Sequence, residues 1–362
     1  MSSCRRRGRS PDGALHRFME RREFIERTLT ASAAFGAATA SAHAASAVGA
    51  TADIRPPAPP PPTGELIAGG GSGTSYQLPV TVERRREGRP HRGKVLAAIQ
   101  PHCDDIAIYA AGTVLKLLDE GYEGILITMS DDSMAGSGQW HGDVAARNER
   151  DTIEVARRLG LKECLFLNYP NHNMDAWPVV EMRARLVFLF RAFKVDTVLT
   201  YDPSGLYERN PDHTVGAKAV ESACWMARSS WDYPEHRAVG LQPHGPADKY
   251  YFSRGPQLVN RVVDIGDFFE AKVWANLANV TQGPAGNSGV NLRARLAAEG
   301  KRLPLLDGTD EQANRAFTRE IALARDSQRA VAYGLKQAEY FHYSPPDQSA
   351  ADEYVRRHAV PR

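Results

Sequence analysis

The chain has 362 residues, 45 Lys and Arg against 43 Asp and Glu, and 42% hydrophobic residues, for a formal charge of +2. That length buries a large core and allows one big domain or two small ones. The balanced charge, with no long basic run, gives nucleic acid no footprint, and no apolar stretch has the length and hydropathy of a permanent membrane span. Of four cysteines, Cys4 lies at the extreme N-terminus, and the remaining three, Cys103, Cys164 and Cys224, make no disulfide framework.

The N-terminus reads as an export signal. In "MERREFIERTLTASAAFGAATASAHA", Arg21 and Arg22 precede Phe24 and Ile25, a weakly apolar Ala-rich stretch follows, and Ala42-His43-Ala44 offers a small-x-small cleavage site. Residues 1–47 are therefore expected to form a leader of the twin-arginine type, with Met19 a candidate initiator, and the product to be periplasmic or extracellular. The competing reading is an Ala-rich helix belonging to the fold. Residues 48–92 are Pro-rich and then Gly-rich, as in "IRPPAPPPPTGELIAGGGSGTSY", and predict a linker with little to bury. The compact domain is expected to begin near Lys94 and to run over residues 93–282.

From Lys94 onward, short apolar runs alternate with helical patterns. "KVLAAIQ", "GILITMS", "ECLFLNY" and "VDTVLTYD" predict strands. Between and after them, residues 105–120, "DVAARNERDTIEVARRLG", "PVVEMRARLVFLFRAF" and "PDHTVGAKAVESACWMA" predict helices. Buried strands separated by helices mark an α/β fold with a Rossmann-like, mostly parallel sheet covered on both faces. Ligands of such a sheet sit at the carboxyl ends of its strands. No GxGxxG follows the first strand, so a dinucleotide is not expected.

Chemistry concentrates at two of those ends. After the first strand, "PHCDD" places His102, Cys103, Asp104 and Asp105 in one turn, and after the fourth, "NPDH" ends in Asp212 and His213. An imidazole with a carboxylate is a common half-site for Zn²⁺ or another borderline cation. His102, Asp105 and His213 make three ligands with one position open to water, the arrangement of a catalytic site. Asp104, beside a ligand but directed differently, is placed to take a proton from that water. Against this, an Asp at a helix start is commonly only an N-cap, and either Asp105 or Asp212 fits that description. Cys103 is expected to point into the core.

The two motifs carry a resemblance. "PHCDD" looks like the "PHPDD" signature, and "NPDH" like the "HPDH" signature, of the PIG-L (LmbE-like) N-deacetylase family. The similarity runs over residues 94–282, through "VVDIGDFFEAKVWANLANVTQ". It implies a Zn²⁺-dependent hydrolase that removes an acyl group, usually acetyl, from an amino sugar or sugar conjugate, with Fe²⁺ or another divalent ion as the alternative metal. By position, His102, Asp105 and His213 resemble the metal ligands, Asp104 the general base and Asp212 the acid that orients histidines. Asn210 stands where the family has a histidine, and an amide donates a hydrogen bond but delivers no proton. Tyr207 lies one residue farther from the second motif than the family's carbonyl-polarising tyrosine. The family's substrate arginine falls nearest Asn148, which makes its neighbours Arg147 and Arg150 the candidate substrate contacts.

The rest of the chain is expected to serve this site. The loop containing "WDYPEHRAVGLQPHGP" is a candidate rim, and residues 283–362 a C-terminal extension packed on the core, with 309–343 a helix ending in "AEYFHY". Two rival readings remain at this point. A phosphotransfer domain would hold Mg²⁺ with Asp104 and Asp105, yet has little use for His102 and His213. A non-catalytic sugar-binding module on the same fold is raised by Asn210.

Overall fold

The computed structural model describes residues 80–361, apart from 137, 284, 285 and 347–349. The expected twin-arginine leader, residues 1–47, and most of the expected Pro/Gly-rich linker lie outside the described residues.

Among the described residues, eight strands form one sheet: β1 (Thr81–Glu83), β2 (Val95–Gln100), β3 (Glu123–Ser130), β4 (Glu163–Tyr169), β5 (Val195–Tyr201), β6 (Asp248–Phe252), β7 (Arg261–Asp264) and β8 (Ala338–Ser344). Their order is β1-β7-β8-β6-β5-β2-β3-β4. Every neighbouring pair is parallel except those of β8, which runs antiparallel to both β6 and β7. Helices surround the sheet: α1 (Asp105–Tyr109), α2 (Ala111–Asp119), α3 (His141–Leu159), α4 (Val179–Phe193), α5 (Pro211–Ala227), α6 (Phe269–Asn276), α7 (Ser288–Ala298), α8 (Asp310–Phe317), α9 (Ala324–Gln328) and α10 (Ala350–His358). β2 shows why the parallel reading succeeds. Leu96, Ala97, Ala98 and Ile99 are all fully buried, which a strand covered on both faces requires and a half-exposed one would not.

The connections position the site. From β2 the chain steps to β3 and β4 in one direction, while β5 lies on the other side of β2 and leads on to β6. The carboxyl ends of β2 and β5 therefore flank the point where the strand order reverses, the crevice in which open α/β sheets bind ligands.

Three sequence expectations need correction. The helix expected over residues 105–120 is two helices broken at Ala110 (φ −141°). The first amides of α2 are claimed from across the fold: Gly112 and Thr113 N–H donate to the two oxygens of Glu339 in β8, at 2.9 and 2.7 Å. That carboxylate replaces the preceding turn as their partner, so the ladder restarts. Next, "AEYFHY" is strand β8 rather than a helix end, and its aromatic-rich sequence suits the gap between β6 and β7. Finally, the sheet starts before Lys94. β1 pairs with β7, and its buried Glu83 meets Lys116 Nζ at 2.8 Å and Arg261 Nη1 at 2.5 Å, partners that only the folded chain brings near.

Candidate metal centre

His102 follows β2, and Asp105 opens α1 three residues later, so the tight turn folds the aspartate back on the histidine. Asp105 Oδ2 accepts the His102 backbone N–H at 2.9 Å, and Asp105 Oδ1 accepts the Tyr201 hydroxyl at 2.8 Å. The Tyr201 ring in turn stacks on the His213 ring with centroids 4.0 Å apart, so one tyrosine at the end of β5 aligns two of the three donors. Within the triangle, His102 Nδ1 lies 2.9 Å from His213 Nε2, and each of these nitrogens lies 3.6 Å from an Asp105 oxygen. All three side chains are buried. Metal–ligand bonds of about 2.1 Å in a tetrahedron put ligand atoms about 3.4 Å apart, so the spacing of this donor set fits a divalent ion.

The electrostatics fit a cation as well. His102 Nδ1 and His213 Nε2 lie within hydrogen-bond distance of each other, so one ring can donate and the other accept. Burial pulls the His102 pKa down, but Asp105 and Asp212 outweigh it and push the value up to about 11. Burial depresses His213, against Asp105. Asp105 falls to about 2, because His213 and His102 overcome the burial that would raise it. A positive charge thus belongs at this point whether a proton or a metal carries it. Outside the triangle, Asp212 Oδ2 lies 3.1 Å from His102 Nε2, and Glu208 Oε2 lies 3.2 Å from His213 Nδ1. A carboxylate thus stands behind each histidine of the triangle, the arrangement that in metal sites sets which nitrogen faces the ion.

Asp104 differs from its neighbour. It precedes α1 yet makes no side-chain cap, and its carboxylate bonds to no other side chain among the described residues. Burial, then Asp105 and Asp132, hold its pKa well above the ordinary carboxylate range. It lines a cleft of about 400 Å³ that also reaches His102, Asp105 and His213. Neither aspartate is therefore merely an N-cap. Asp212 is not the cap of its helix either: it takes the backbone N–H of His172 (2.7 Å) and Met174 (3.1 Å), and the cap of α5 is Asn210, whose Oδ1 accepts from Asp212 N at 3.0 Å. Asn210 lines the cleft with its amide NH₂ as the group left to offer. Cys103 is buried, with Sγ 3.1 Å from Gln282 Oε1 and outside the donor triangle.

Three candidate residues and one loop lie elsewhere. Tyr207 adopts φ 58°, is 83% exposed and is not part of the cleft wall. Arg147 and Arg150 are exposed on α3, where Arg147 pairs with Asp143 at 2.9 Å. Helical phase is the cause, since Asn148 between them is buried and donates to the carbonyls of Asp132 and Ala135 at 2.9 and 2.7 Å. The loop around Trp231 contributes nothing to the cleft wall. Its carbonyls gather around the buried guanidinium of Arg191, which donates to Ser229 O at 2.7 Å and Asp232 O at 2.9 Å.

The cleft also contains residues that sequence reasoning passed over. His172 sits at the carboxyl end of β4 with φ 59°, its ring 6.1 Å from that of His102. Its place after a strand was a usable signal. Gln282 closes the stretch "VVDIGDFFEAKVWANLANVTQ" and so lay within the resemblance, whereas Arg254 and Arg325 gave no signal, because the segments bearing them reach the cleft only through the fold.

The family model described as GlcNAc-PI de-N-acetylase (PIG-L) matches residues 97–224. Across 195 residues the chain is 30% identical to the diacetylchitobiose deacetylase of Thermococcus kodakarensis, covering 53% of this chain and 71% of that protein. The chain belongs to the PIG-L family. A second relative, the 1D-myo-inositol 2-acetamido-2-deoxy-alpha-D-glucopyranoside deacetylase of a Mycobacterium species, is 23% identical over 232 residues, 52% of this chain and 73% of that one. The family fold is shared with the solved N,N'-diacetylchitobiose deacetylase of Pyrococcus horikoshii, at a TM-score of 0.56 and 24% identity over 74% of this chain and 87% of that chain. The eight-stranded, mostly parallel sheet with its surrounding helices is the α/β fold of this family, with further helices toward the C-terminus.

Proposed function

We propose that the protein is an exported, metal-dependent N-deacetylase that removes an acyl group, most simply acetyl, from an amino sugar or sugar conjugate. The observation that carries this reading is the unengaged carboxylate of Asp104 beside the His102–Asp105–His213 triangle at one end of an open cleft. Two imidazoles and one carboxylate suit zinc best, with iron(II) next. A bound divalent ion supplies Lewis acidity, polarising the amide carbonyl and acidifying water.

The chain's own residues do the rest. Asp104 takes a proton from the attacking water as its oxygen bonds to the carbonyl carbon. Asn210, through its NH₂, and His172 line the cleft as hydrogen-bond donors for the developing oxyanion. When the C–N bond breaks, the proton held by Asp104 passes to the leaving amine, giving free amino sugar and carboxylate. Asp212 and Glu208 keep the histidines oriented throughout. The phosphotransfer alternative leaves both buried imidazoles without a task, since Mg²⁺ prefers oxygen ligands.

The test is a screen of the metal-loaded protein against free and conjugated N-acetyl amino sugars, scored by acetate and primary amine together. Equal release of both supports the reading, whereas tight sugar binding without release of either identifies a binding module. Asn210 has a prediction of its own. Asn210→Ala should lower kcat about 10²-fold, the scale of one lost oxyanion donor, and should cost about 1 kcal/mol of stability through the lost cap. Asn210→Ser keeps a capping oxygen, so the kcat loss should persist while the stability loss disappears. Recovery of kcat in the Ser variant would reduce Asn210 to a cap.

Export rests on the leader sequence. A reporter carrying residues 19–50 should leave the cytoplasm by the twin-arginine route, and Arg21→Lys with Arg22→Lys should stop it. Undiminished export of the double variant would remove this element of the proposal.

A further inference from the structure

The cleft wall also draws on segments beyond the matched residues 97–224, and these bring two arginines, Arg254 after β6 and Arg325 in α9. They differ in what they already hold. Arg254 is engaged by Glu208, with Nη2–Oε1 at 2.5 Å and Nε–Oε2 at 3.2 Å. Arg325 meets no carboxylate among the described residues. Its Nη1 reaches only Ser253 O at 3.4 Å, and its guanidinium carbon stands 4.8 Å from the centre of the Tyr109 ring. Of five N–H donors, most are left for something else.

That guanidinium stands on a fixed support. Asp326, the next residue, is buried and meets the buried Lys272 Nζ at 2.6 Å, and Lys272 also meets Glu339 of β8 at 2.6 Å. The ion cluster pins α9 to the sheet, so little ordering is needed when Arg325 takes a partner. Both arginines line the same cleft, and Arg325 lies over the Tyr109 ring there. Two carboxylates, Asp104 and Asp105, also line the cleft, yet neither forms an ion pair with Arg325 among the described residues. A neutral N-acetyl sugar offers nothing that specifically requires an unpaired guanidinium, whereas a carboxylate or phosphate does.

We propose that Arg325, with Arg254 beside it, is an anion subsite, and that the substrate is an N-acyl amino sugar bearing a carboxylate or phosphate. This deepens the deacetylase reading and rests on it for the acyl group. The anion preference itself is separable.

The experiment titrates the metal-loaded full chain by calorimetry with N-acetylglucosamine, its 6-phosphate, its 6-uronic acid and inorganic phosphate, and assays acetate release on the three sugars. One or both charged sugars should bind roughly tenfold to a hundredfold tighter than the neutral one, as a charge-assisted contact implies, and which of them leads identifies the anion. Arg325→Ala should bring that ratio near one, and Arg325→Lys should restore part of it. Equal binding of all three sugars, a preference that survives Arg325→Ala, or inorganic phosphate binding as tightly as the sugar phosphate would each overturn the subsite. Anion preference without acetate release leaves the subsite standing and removes the deacetylase reading. Acetate release with no anion preference does the reverse.

Discussion

His213→Ala and His102→Ala should each purify without stoichiometric metal, while the wild type carries about one divalent ion per chain. The triangle explains the size of the effect, since each substitution leaves only two protein donors where three lie 2.9 to 3.6 Å apart. Cys103→Ser should keep the ion, because that sulfur faces Gln282 and Asn148 instead. Asp212→Asn should be intermediate, with metal affinity weakened roughly tenfold to a hundredfold, as for other carboxylates behind a ligating histidine. Uptake should also be pH-dependent with a definite sign. Burial lowers the His102 pKa, but Asp105 and Asp212 push it up to about 11, so the metal must displace a proton and apparent affinity should rise with pH through the neutral range. Metal analysis of the purified variants and a metal titration at several pH values check this. Stoichiometric metal in both histidine variants would remove the site.

Asp104→Asn should abolish turnover, by about 10³-fold or more given the usual contribution of a positioned base, and should leave the metal bound because Asp105, not Asp104, belongs to the donor triangle. The same variant should not be destabilised. The Asp104 carboxylate bonds to no side chain, and its pKa is raised by burial, then by Asp105 and Asp132. A raised carboxyl pKa means that the ionised form costs stability above the unfolded value, so removing that ionisation leaves the metal-free chain at least as stable at neutral pH. Metal content, Tm and kcat measured on one preparation separate these effects. Loss of metal would make Asp104 a ligand, and activity within tenfold of wild type would end its role as base.

The parts of the fold and site that the sequence made legible are those whose evidence is local. Each buried strand and the helix after it form one short run, and His102 and Asp105 are three residues apart in one turn. His213 was reachable because its motif follows the fourth strand of a parallel sheet, where ligands gather. What was illegible depends on distant partners. β1 is three residues long and is recognisable only once Glu83 meets Lys116 and Arg261. The break at Ala110 requires Glu339, 227 residues beyond Gly112. Arg147 and Arg150 are a different kind of miss. The buried set on α3, Val144, Asn148, Thr152, Val155 and Leu159, repeats every three or four residues, so the phase that turns both arginines outward was present in the sequence. Tyr207 was misplaced because a motif's spacing does not reveal that the residue adopts a left-handed turn facing solvent.

The most direct measurement is a titration of activity with metal. Protein stripped by chelation is reconstituted with increasing zinc, and acetate and amine released from an N-acetyl amino sugar are counted at each point. Metal-dependent hydrolysis at one three-ligand site predicts no turnover in the stripped protein, a linear rise, a plateau at one ion per chain, and acetate equal to amine throughout. Turnover that persists in the stripped protein, or a plateau reached with no acetate formed, would contradict it.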